Sequence, residues 1–258
     1  MPAKELNYRL AILRQPGSNF ALGITTSKEA DPDFKRMKQQ HQAYTELLRL
    51  RGLEIVLLEA LDDYPDSYFV EDVAVVMPEL AVISRPGAAS RRGEIAEIEP
   101  VLAQFRPISH IQSPGTLDGG DVLMVEKHFF VGVSDRTNEQ GAEQFGHLVA
   151  DLGYTWDPIA VSSGLHLKSS VNYVGKNTLI ITADIAGRQE FQDFQKIVLP
   201  DDEQEAANTL FLNGVLLMPT NFPRTKELLT SLDLEIVEID VSEARKMDGG
   251  LTCMSLRL

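Results

Sequence analysis

Residues 73–84 read Val-Ala-Val-Val-Met-Pro-Glu-Leu-Ala-Val-Ile-Ser, and this stretch decides the fold. Two short runs of β-branched and aliphatic residues flank a Pro-Glu pair, which is typical of two strands joined by a tight turn. A polar loop through Arg91 and an amphipathic helical pattern at 94–105 follow. Strand, turn, strand, loop and helix together define a unit that can be sought elsewhere in the chain.

The same unit recurs along the chain, and its last copy joins the two ends. The further copies, given as first strand, second strand and helix, are 121–125, 128–134 and 138–152; 171–174, 177–182 and 188–195; 209–212, 215–219 and 225–232; and 252–258, 8–13 and 33–51. Self-similarity at a period of about 50 residues indicates a repeat architecture. The pattern predicts a ring of five α/β units that forms one domain over residues 1–258. An open doubly wound sheet is the alternative, but its parallel strands would lack the tight hairpins.

The overall composition is that of a globular protein. Of 258 residues, 43% are hydrophobic and 24% are charged. The chain has no apolar run of roughly 18 residues, so no membrane span is expected. The start, Met-Pro-Ala-Lys-Glu-Leu-Asn, lacks a basic stretch followed by an apolar region, so we expect no signal peptide and a cytoplasmic location.

The charge and the cysteine count narrow the choice of partners. A formal net charge of −14 disfavours nucleic acid and suits a small cationic substrate, although it also serves solubility. The single cysteine excludes an internal disulfide and a cysteine-based metal cluster. That thiol is therefore either an inert residue or a nucleophile.

Two segments carry the residues of a thiol enzyme. Cys253 follows Gly249 and Gly250 in a β-rich run, where a lone cysteine is more often a core residue. His166 lies in Ser-Ser-Gly-Leu-His-Leu-Lys-Ser-Ser, residues 162–170. An imidazole can give a proton to a leaving amine and take one from water, since its pKa is near neutrality. The other four histidines lie in helical or strand contexts and are weaker candidates.

Acidic residues cluster in two further segments. Asp118, in a Gly-Gly turn just before a strand, can orient an imidazole, although Asp and Gly also favour turns on their own. Residues 65–76 place Asp66, Glu71 and Asp72 beside an aromatic and β-branched run. Carboxylates are costly to bury unless they are paired, so a cationic ligand would explain them.

Two arginines stand at equivalent places in successive repeats. Arg91 follows the first hairpin and Arg136 follows the next. Surface arginines are usually solvated, but two at matching positions suit a fork-like clamp on a carboxylate.

These segments together resemble the dimethylarginine dimethylaminohydrolase family of the guanidino-modifying superfamily. The strings that carry the resemblance run in order from Asp66 to Cys253: Pro-Asp-Ser-Tyr-Phe-Val-Glu-Asp, Arg-Pro-Gly-Ala-Ala-Ser-Arg-Arg, Thr-Leu-Asp-Gly-Gly-Asp-Val-Leu, Phe-Val-Gly-Val-Ser-Asp-Arg-Thr-Asn, Gly-Leu-His-Leu-Lys-Ser and Leu-Thr-Cys. The resemblance implies a pentein, a five-bladed pseudo-symmetric α/β propeller of ββαβ-type repeats.

The resemblance also implies a set of site residues. Its catalytic members are Cys253 as nucleophile, His166 as general acid/base and Asp118 as carboxylate partner of the histidine. Its binding members are Asp66 for the guanidinium, Glu71 and Asp72 for further polar contacts, Arg91 and Arg136 for the α-carboxylate, and Leu22 in a mobile lid with the backbone near Asp248 for the α-amino end. No metal or organic cofactor is required.

The activity that the resemblance implies is hydrolysis of N-methylated arginine. Asymmetric dimethylarginine and monomethylarginine would give citrulline and a methylamine through a covalent cysteine intermediate. Arginine deiminases and amidinotransferases are alternatives, but they carry an Asp two residues after the histidine, where this chain has Lys168. A non-catalytic ribosomal anti-association propeller would not need Cys253, His166 and Asp118 together. The oligomeric state stays open, and a homodimer would be compatible.

Overall fold

The computed structural model describes residues 7–28, 31–162 and 164–258. The first six residues, on which the expectation of no signal peptide mainly rests, lie outside the described residues, as does Ser163 of the histidine segment. Among the described residues, no helix has the length and apolar character that crossing a membrane requires.

The described chain folds into strands and helices that alternate as the repeat predicts, except in its third copy. The strands are β1 (Leu10–Arg14), β2 (Glu54–Leu58), β3 (Ala74–Val76), β4 (Ala81–Ile83), β5 (Ile108–His110), β6 (Val122–Val125), β7 (His128–Val133), β8 (Thr155–Ala160), β9 (Val171–Tyr173), β10 (Thr178–Ile181), β11 (Gln195–Val198), β12 (Leu210–Leu212), β13 (Val215–Pro219), β14 (Glu235–Ile239) and β15 (Leu256–Arg257). The α-helices are α1 (Phe34–Leu50), α2 (Ile95–Leu102), α3 (Glu139–Ala150), α4 (Pro223–Thr230) and α5 (Ser242–Arg245).

The strands form five three-stranded sheets, in the orders β3-β4-β5, β6-β7-β8, β9-β10-β11, β12-β13-β14 and β15-β1-β2. In each sheet the first strand pairs antiparallel with the middle one, as Val75 does with Val82. The third strand returns parallel to the middle one, as Ser109 does beside Val82. The fifth sheet takes β15 from one end of the chain and β1 from the other, with Ala11 opposite Arg257. The five-bladed α/β propeller is therefore confirmed.

Burial explains why the middle strands are apolar without alternation. All residues of β4, β10 and β13 are buried, as expected for strands covered on both faces. Five clusters of buried hydrophobic residues lie between neighbouring blades, and four of them include residues of an α-helix. The turns and loops at the blade ends are thereby held on a rigid frame.

The prediction of a helix in the third copy of the repeat is wrong. Residues 188–195 were expected to be helical, but only Gln189–Phe191 form a single 3-10 turn, and strand β11 begins at Gln195. The reason is aromatic packing, because Phe191 and Phe194 both lie against Phe130 at centroid distances of 5.0 and 5.8 Å. The Phe194 N–H donates to the Phe191 carbonyl oxygen at 3.3 Å, so this segment continues as a tight turn and not as an α-helix.

The predicted strand at 252–258 is also shorter than expected, since only Leu256–Arg257 is a strand. The Arg257 guanidinium donates to the carbonyl oxygens of Thr252 and Ser255 at 3.0 and 2.8 Å. Those oxygens are thus taken by a side chain instead of a sheet partner. Cys253 consequently lies in a turn and not in an apolar strand.

Candidate active site

A small cavity of about 20 Å³ lies at one end of the ring. It is lined by Ile24, Asp66, Phe69, Asp72, Arg91, Arg136, Leu165, His166, Asp248, Gly249 and Cys253. Seven of the ten residues expected from the sequence are in this lining, and they come from loops of different blades. The fold therefore gathers at one point residues that are far apart in the chain.

The His166 ring is held between two carboxylates. Its Nε2 lies 3.1 Å from Asp118 Oδ2, and its Nδ1 lies 3.9 Å from Asp72 Oδ1. Burial by itself lowers the pKa of His166, but the charge on Asp72, the hydrogen bond to Asp118 and the charge on Asp121 outweigh it and raise the pKa to about 9. The ring is therefore an imidazolium at neutral pH, with Nδ1 as the nitrogen that Asp118 leaves free.

Asp118 is itself fixed by its surroundings. It is fully buried, and its Oδ1 accepts from the Gly87 N–H at 2.9 Å. Its own N–H donates to Thr137 Oγ1 at 3.0 Å. These contacts hold the carboxylate in the orientation that the imidazole needs.

Asp121 is a positioning residue that sequence reasoning left without a role. It is fully buried, and its carboxylate accepts from the Leu167 N–H at 2.8 Å and from Ser134 Oγ at 2.7 Å. It thereby ties the histidine loop to the loop that carries Arg136. The Asp-Gly-Gly-Asp string was the available signal, since both of its acids precede a buried strand.

Two glycines are required where the backbone passes close to side chains of the site. A Cβ added to Gly120 would lie 2.6 Å from His166 Nδ1 and 2.8 Å from Asp72 Oδ1. A Cβ on Gly249 would lie 2.1 Å from the Phe69 ring. Close approach, rather than an unusual dihedral angle, therefore explains these two glycines.

Cys253 is half-buried beside these groups, and its Sγ accepts a hydrogen bond from the Gly250 N–H at 3.4 Å. Burial, together with the charges on Glu71 and Asp72, raises the pKa of Cys253 to about 12. Without a bound cation, the site therefore holds a neutral thiol next to an imidazolium at neutral pH.

Asp66 and Asp72, two of the three acids that line the cavity, differ in their partners. Asp66 accepts from the Ile24 N–H, at 3.2 and 3.1 Å to its two oxygens. Asp72 accepts from the Gly120 N–H at 3.2 Å and from Arg91. Among the described residues, the only hydrogen-bond donor to the Asp66 carboxylate is therefore the backbone N–H of Ile24, in the segment 20–26 that is called the lid below.

The two arginines expected to act together also differ. Arg91 is buried, and its guanidinium donates to Asp72, to both Glu94 oxygens and to the Asp66 and Phe69 carbonyl oxygens. Arg136 lines the cavity, and within the described part of the chain its guanidinium has no carboxylate partner. Arg136 is therefore the cation available to an anionic group, while Arg91 is already neutralised.

Two predicted binding residues lie outside the cavity. The Leu22 side chain is 80% exposed, and the lid residue that lines the cavity is Ile24, two positions further on. Glu71 accepts from Thr252 Oγ1 at 2.7 Å and lies 2.6 Å from Lys168 Nζ, on the far side of the nucleophile loop. Leu22 and Glu71 therefore do not line the cavity in this structure, and their contacts with a substrate stay a prediction.

Asp248 does lie at the cavity, with a role beyond that of its backbone. Its φ of 58° is in the left-handed region, and its carboxylate accepts from Thr26 Oγ1 of the lid at 3.0 Å. The loop before the nucleophile and the lid are thereby joined across the mouth of the cavity.

The carboxylates around the histidine resemble part of a metal site. Asp72, Asp118 and His166 each offer one ligand atom, and these atoms lie within 4.8 Å of one another. Asp72 is already bonded to Arg91, and Asp118 to the imidazole. The imidazolium and the guanidinium thus balance these acids, and the set is accounted for without a metal ion.

The chain matches proteins of known name over nearly its whole length. The family model "N,N dimethylarginine dimethylhydrolase, eukaryotic" matches residues 23–258. The N(G),N(G)-dimethylarginine dimethylaminohydrolase of Pseudomonas aeruginosa is 38% identical over 252 residues, which are 97% of this chain and 99% of that protein. The enzyme of the same name from Streptomyces coelicolor is 38% identical over 264 residues, which cover 100% and 98% of the two chains.

A solved structure supports the same grouping. It is that of the Pseudomonas aeruginosa protein, as a cysteine-to-serine mutant complexed with citrulline. It superposes with a TM-score of 0.96 at 38% identity and covers 98% of this chain and all of the other. The chain belongs to the dimethylarginine dimethylaminohydrolase family.

Proposed function

We propose that this protein hydrolyses asymmetric dimethylarginine and monomethylarginine to citrulline and a methylamine, with Cys253 as nucleophile. The observation that carries the proposal is the cavity itself. A thiol, an imidazolium paired with Asp118, the carboxylate of Asp66 and the guanidinium of Arg136 converge there. A bound citrulline in the related structure agrees with this product.

The polar groups define how the substrate lies. The carboxylate of Asp66 suits the guanidinium nitrogens, and the Arg136 fork suits the α-carboxylate at the opposite end of the same molecule. The cavity of about 20 Å³ has room for one or two waters only, so binding requires the lid at Ile24 to move. Asp66 would then exchange the lid N–H for the N–H groups of the substrate.

The chemistry begins with the thiol. A bound guanidinium lowers the pKa of Cys253 because a nearby positive charge favours the thiolate, and the thiol proton is lost to solvent. The thiolate attacks the central guanidino carbon, and His166 gives its proton to the departing amine. The neutral imidazole then takes a proton from water, and the hydroxide attacks the carbon. The carbon–sulfur bond breaks, and the hydroxyl proton of the adduct passes to solvent as the ureido carbonyl forms. Citrulline is released, and the thiolate and imidazolium are restored.

Lys168 bears on the choice between methylated and free arginine. Its ammonium lies beside Glu71 and away from the small cavity, so no acid at that position holds a second guanidinium edge. An edge without acceptors leaves room for methyl groups, while free arginine brings donors that find no partner. Asymmetric dimethylarginine should therefore have the higher kcat/KM.

The test is the ratio of kcat/KM for asymmetric dimethylarginine to that for arginine on the purified protein, with citrulline as the product measured. Monomethylarginine should lie between the two, because a missing methyl costs only about 1–3 kcal/mol. Symmetric dimethylarginine should not react, since Asp66 leaves no space for its second methyl. A ratio below one would favour a deiminase over the proposed activity.

The location and the assembly are further questions. We expect the protein in the cytoplasm, while its oligomeric state stays open and a homodimer would be compatible. Sedimentation at working concentration would test the homodimer, and fractionation of its own cells would test the location.

A further inference from the structure

A second and larger cavity occupies the centre of the ring. Its volume is about 480 Å³, within the range of sites that bind small molecules. The first strand of every blade contributes to its wall, including Val75, Leu123, Tyr173, Phe211 and Arg257. Neither Cys253 nor His166 lines it, so the cavity is separate from the one described above.

The floor of this central cavity carries buried charge. Lys168 Nζ and the Arg257 guanidinium both lie on the single carboxylate of Glu71, at 2.6 and 2.8 Å. Lys168 and Glu71 are buried, and Arg257 is nearly so. Two cations thus share one anion, which leaves a net positive charge on the floor of a cavity within a protein of net charge −14.

Both cations have donors left for another partner. An ammonium carries three N–H groups, and Glu71 is the acceptor that the described residues give Lys168. The Arg257 Nη1 donates to Thr252 and Ser255, and its Nη2 donates to Glu71. A guanidinium has five N–H groups in a planar fork, and such a fork suits an oxyanion.

The walls above the floor are largely apolar and aromatic. Tyr173 and Phe211 meet edge to face at 6.1 Å, and Phe129, Met124 and Leu210 line the same space. A ligand that matches both the cationic floor and the apolar walls has an anionic head and an apolar body. Apolar walls with a few placed polar groups are the usual composition of a small-molecule site.

We propose that the central cavity is a binding site for a small organic carboxylate, whose head lies on Lys168 and Arg257 and whose apolar body packs on Tyr173 and Phe211. The site is distinct from the proposed substrate site, because the Glu71 N–H and the Cys253 carbonyl, 3.1 Å apart, belong to the wall between the two. It does not depend on the proposed activity.

Calorimetric titration with benzoate, benzamide and inorganic phosphate tests this proposal. Benzamide has the shape of benzoate without its charge, and phosphate has charge without an apolar body. We expect saturable one-to-one binding of benzoate and much weaker binding of the other two. No binding of benzoate, or phosphate binding as tightly as benzoate, would overturn the proposal.

Matched variants locate the bound anion. Lys168→Met should weaken benzoate binding about tenfold or more, since a charged hydrogen-bonding partner is lost, and Lys168→Arg should retain it. Lys226→Met, an equal loss of charge at an exposed ion pair with Glu238, should change binding less than about twofold. Binding lost in Arg136→Ala but kept in Lys168→Met would place benzoate in the substrate site and refute the proposal.

A crystal structure of the wild-type protein with benzoate covers the case in which Lys168→Met does not fold. The carboxylate is expected within hydrogen-bond distance of Lys168 Nζ or the Arg257 guanidinium. Benzoate found elsewhere, with the central cavity free of it, would contradict the assignment.

Discussion

Glu71 and Asp72 are neighbours in the chain but face opposite sides of one wall. Asp72 lies at the small cavity with Arg91 and His166, whereas Glu71 lies at the central cavity with Lys168 and Arg257. Both side chains are buried, and each is balanced by its own cations. The small cavity keeps Asp66, whose carboxylate has no cation within salt-bridge distance among the described residues, and suits a cation. The central cavity has two cations on one carboxylate and suits an anion.

Among the substitutions that should act on the small cavity and not on the central one, Cys253→Ser should have the largest effect. A serine hydroxyl is hardly ionised near neutral pH, so turnover of asymmetric dimethylarginine should be lost. The melting temperature should stay close to that of the wild type, because the side chain is similar in size. Residual activity of about a tenth, measured as citrulline release, would end the assignment of the nucleophile.

The protonation of the small cavity gives the next largest effect. At pH 7 the site holds an imidazolium with a pKa of about 9 and a thiol with a pKa of about 12. The form that attacks the substrate, thiolate with imidazolium, holds one proton fewer than the thiol–imidazolium form that prevails at pH 7. The kcat/KM for asymmetric dimethylarginine should therefore rise about tenfold per pH unit below pH 9 and then level off.

Asp118→Asn provides the control for that profile. The hydrogen bond to Asp118 is one of the interactions that raise the pKa of His166, so the rise should end at lower pH. The kcat should fall by about 10²–10⁴, the usual contribution of general acid–base catalysis. A profile that is flat or falling between pH 7 and 9 in the wild type is incompatible with these protonation states.

The two arginines of the small cavity should separate binding from stability. Arg136→Ala should raise KM by about 10–150-fold, the cost of one charged hydrogen-bonding partner, with little loss of stability. Arg91→Ala leaves Asp72 and Glu94 buried without their cation and should lower the free energy of unfolding by about 3–5 kcal/mol. Steady-state kinetics and urea unfolding on both variants check this, and equal effects on stability would show the pairing to be misassigned.

The smallest effect should come from the lid. The side chain of Leu22 is exposed, and Leu22→Ala should change KM less than about twofold, as for other surface substitutions. Ile24→Ala, at the cavity itself, is the matched comparison and should have the larger effect. A larger increase in KM for Leu22→Ala would mean that the lid closes differently on the substrate.

The sequence predicted the fold and most of the cavity because both depend on local patterns. Hairpin turns beside apolar runs identified four of the blades, and the family resemblance carried by short strings near turns identified Cys253, His166 and Asp118. The sequence could not tell that Glu71 and Asp72 face opposite ways, because that depends on where the 3-10 turn at Val70–Val73 points each side chain. Nor could it show that Arg91 is neutralised, since Glu94 lies next to it only once that segment folds.

The most direct test of the central claim is mass spectrometry of the protein quenched during turnover of asymmetric dimethylarginine. A covalent adduct on the peptide that contains Cys253 should appear while substrate is being consumed, and it should be absent from Cys253→Ser. Its mass should equal that of the substrate less one dimethylamine. Full turnover without any adduct on Cys253, or an adduct on another residue, would contradict the proposed mechanism.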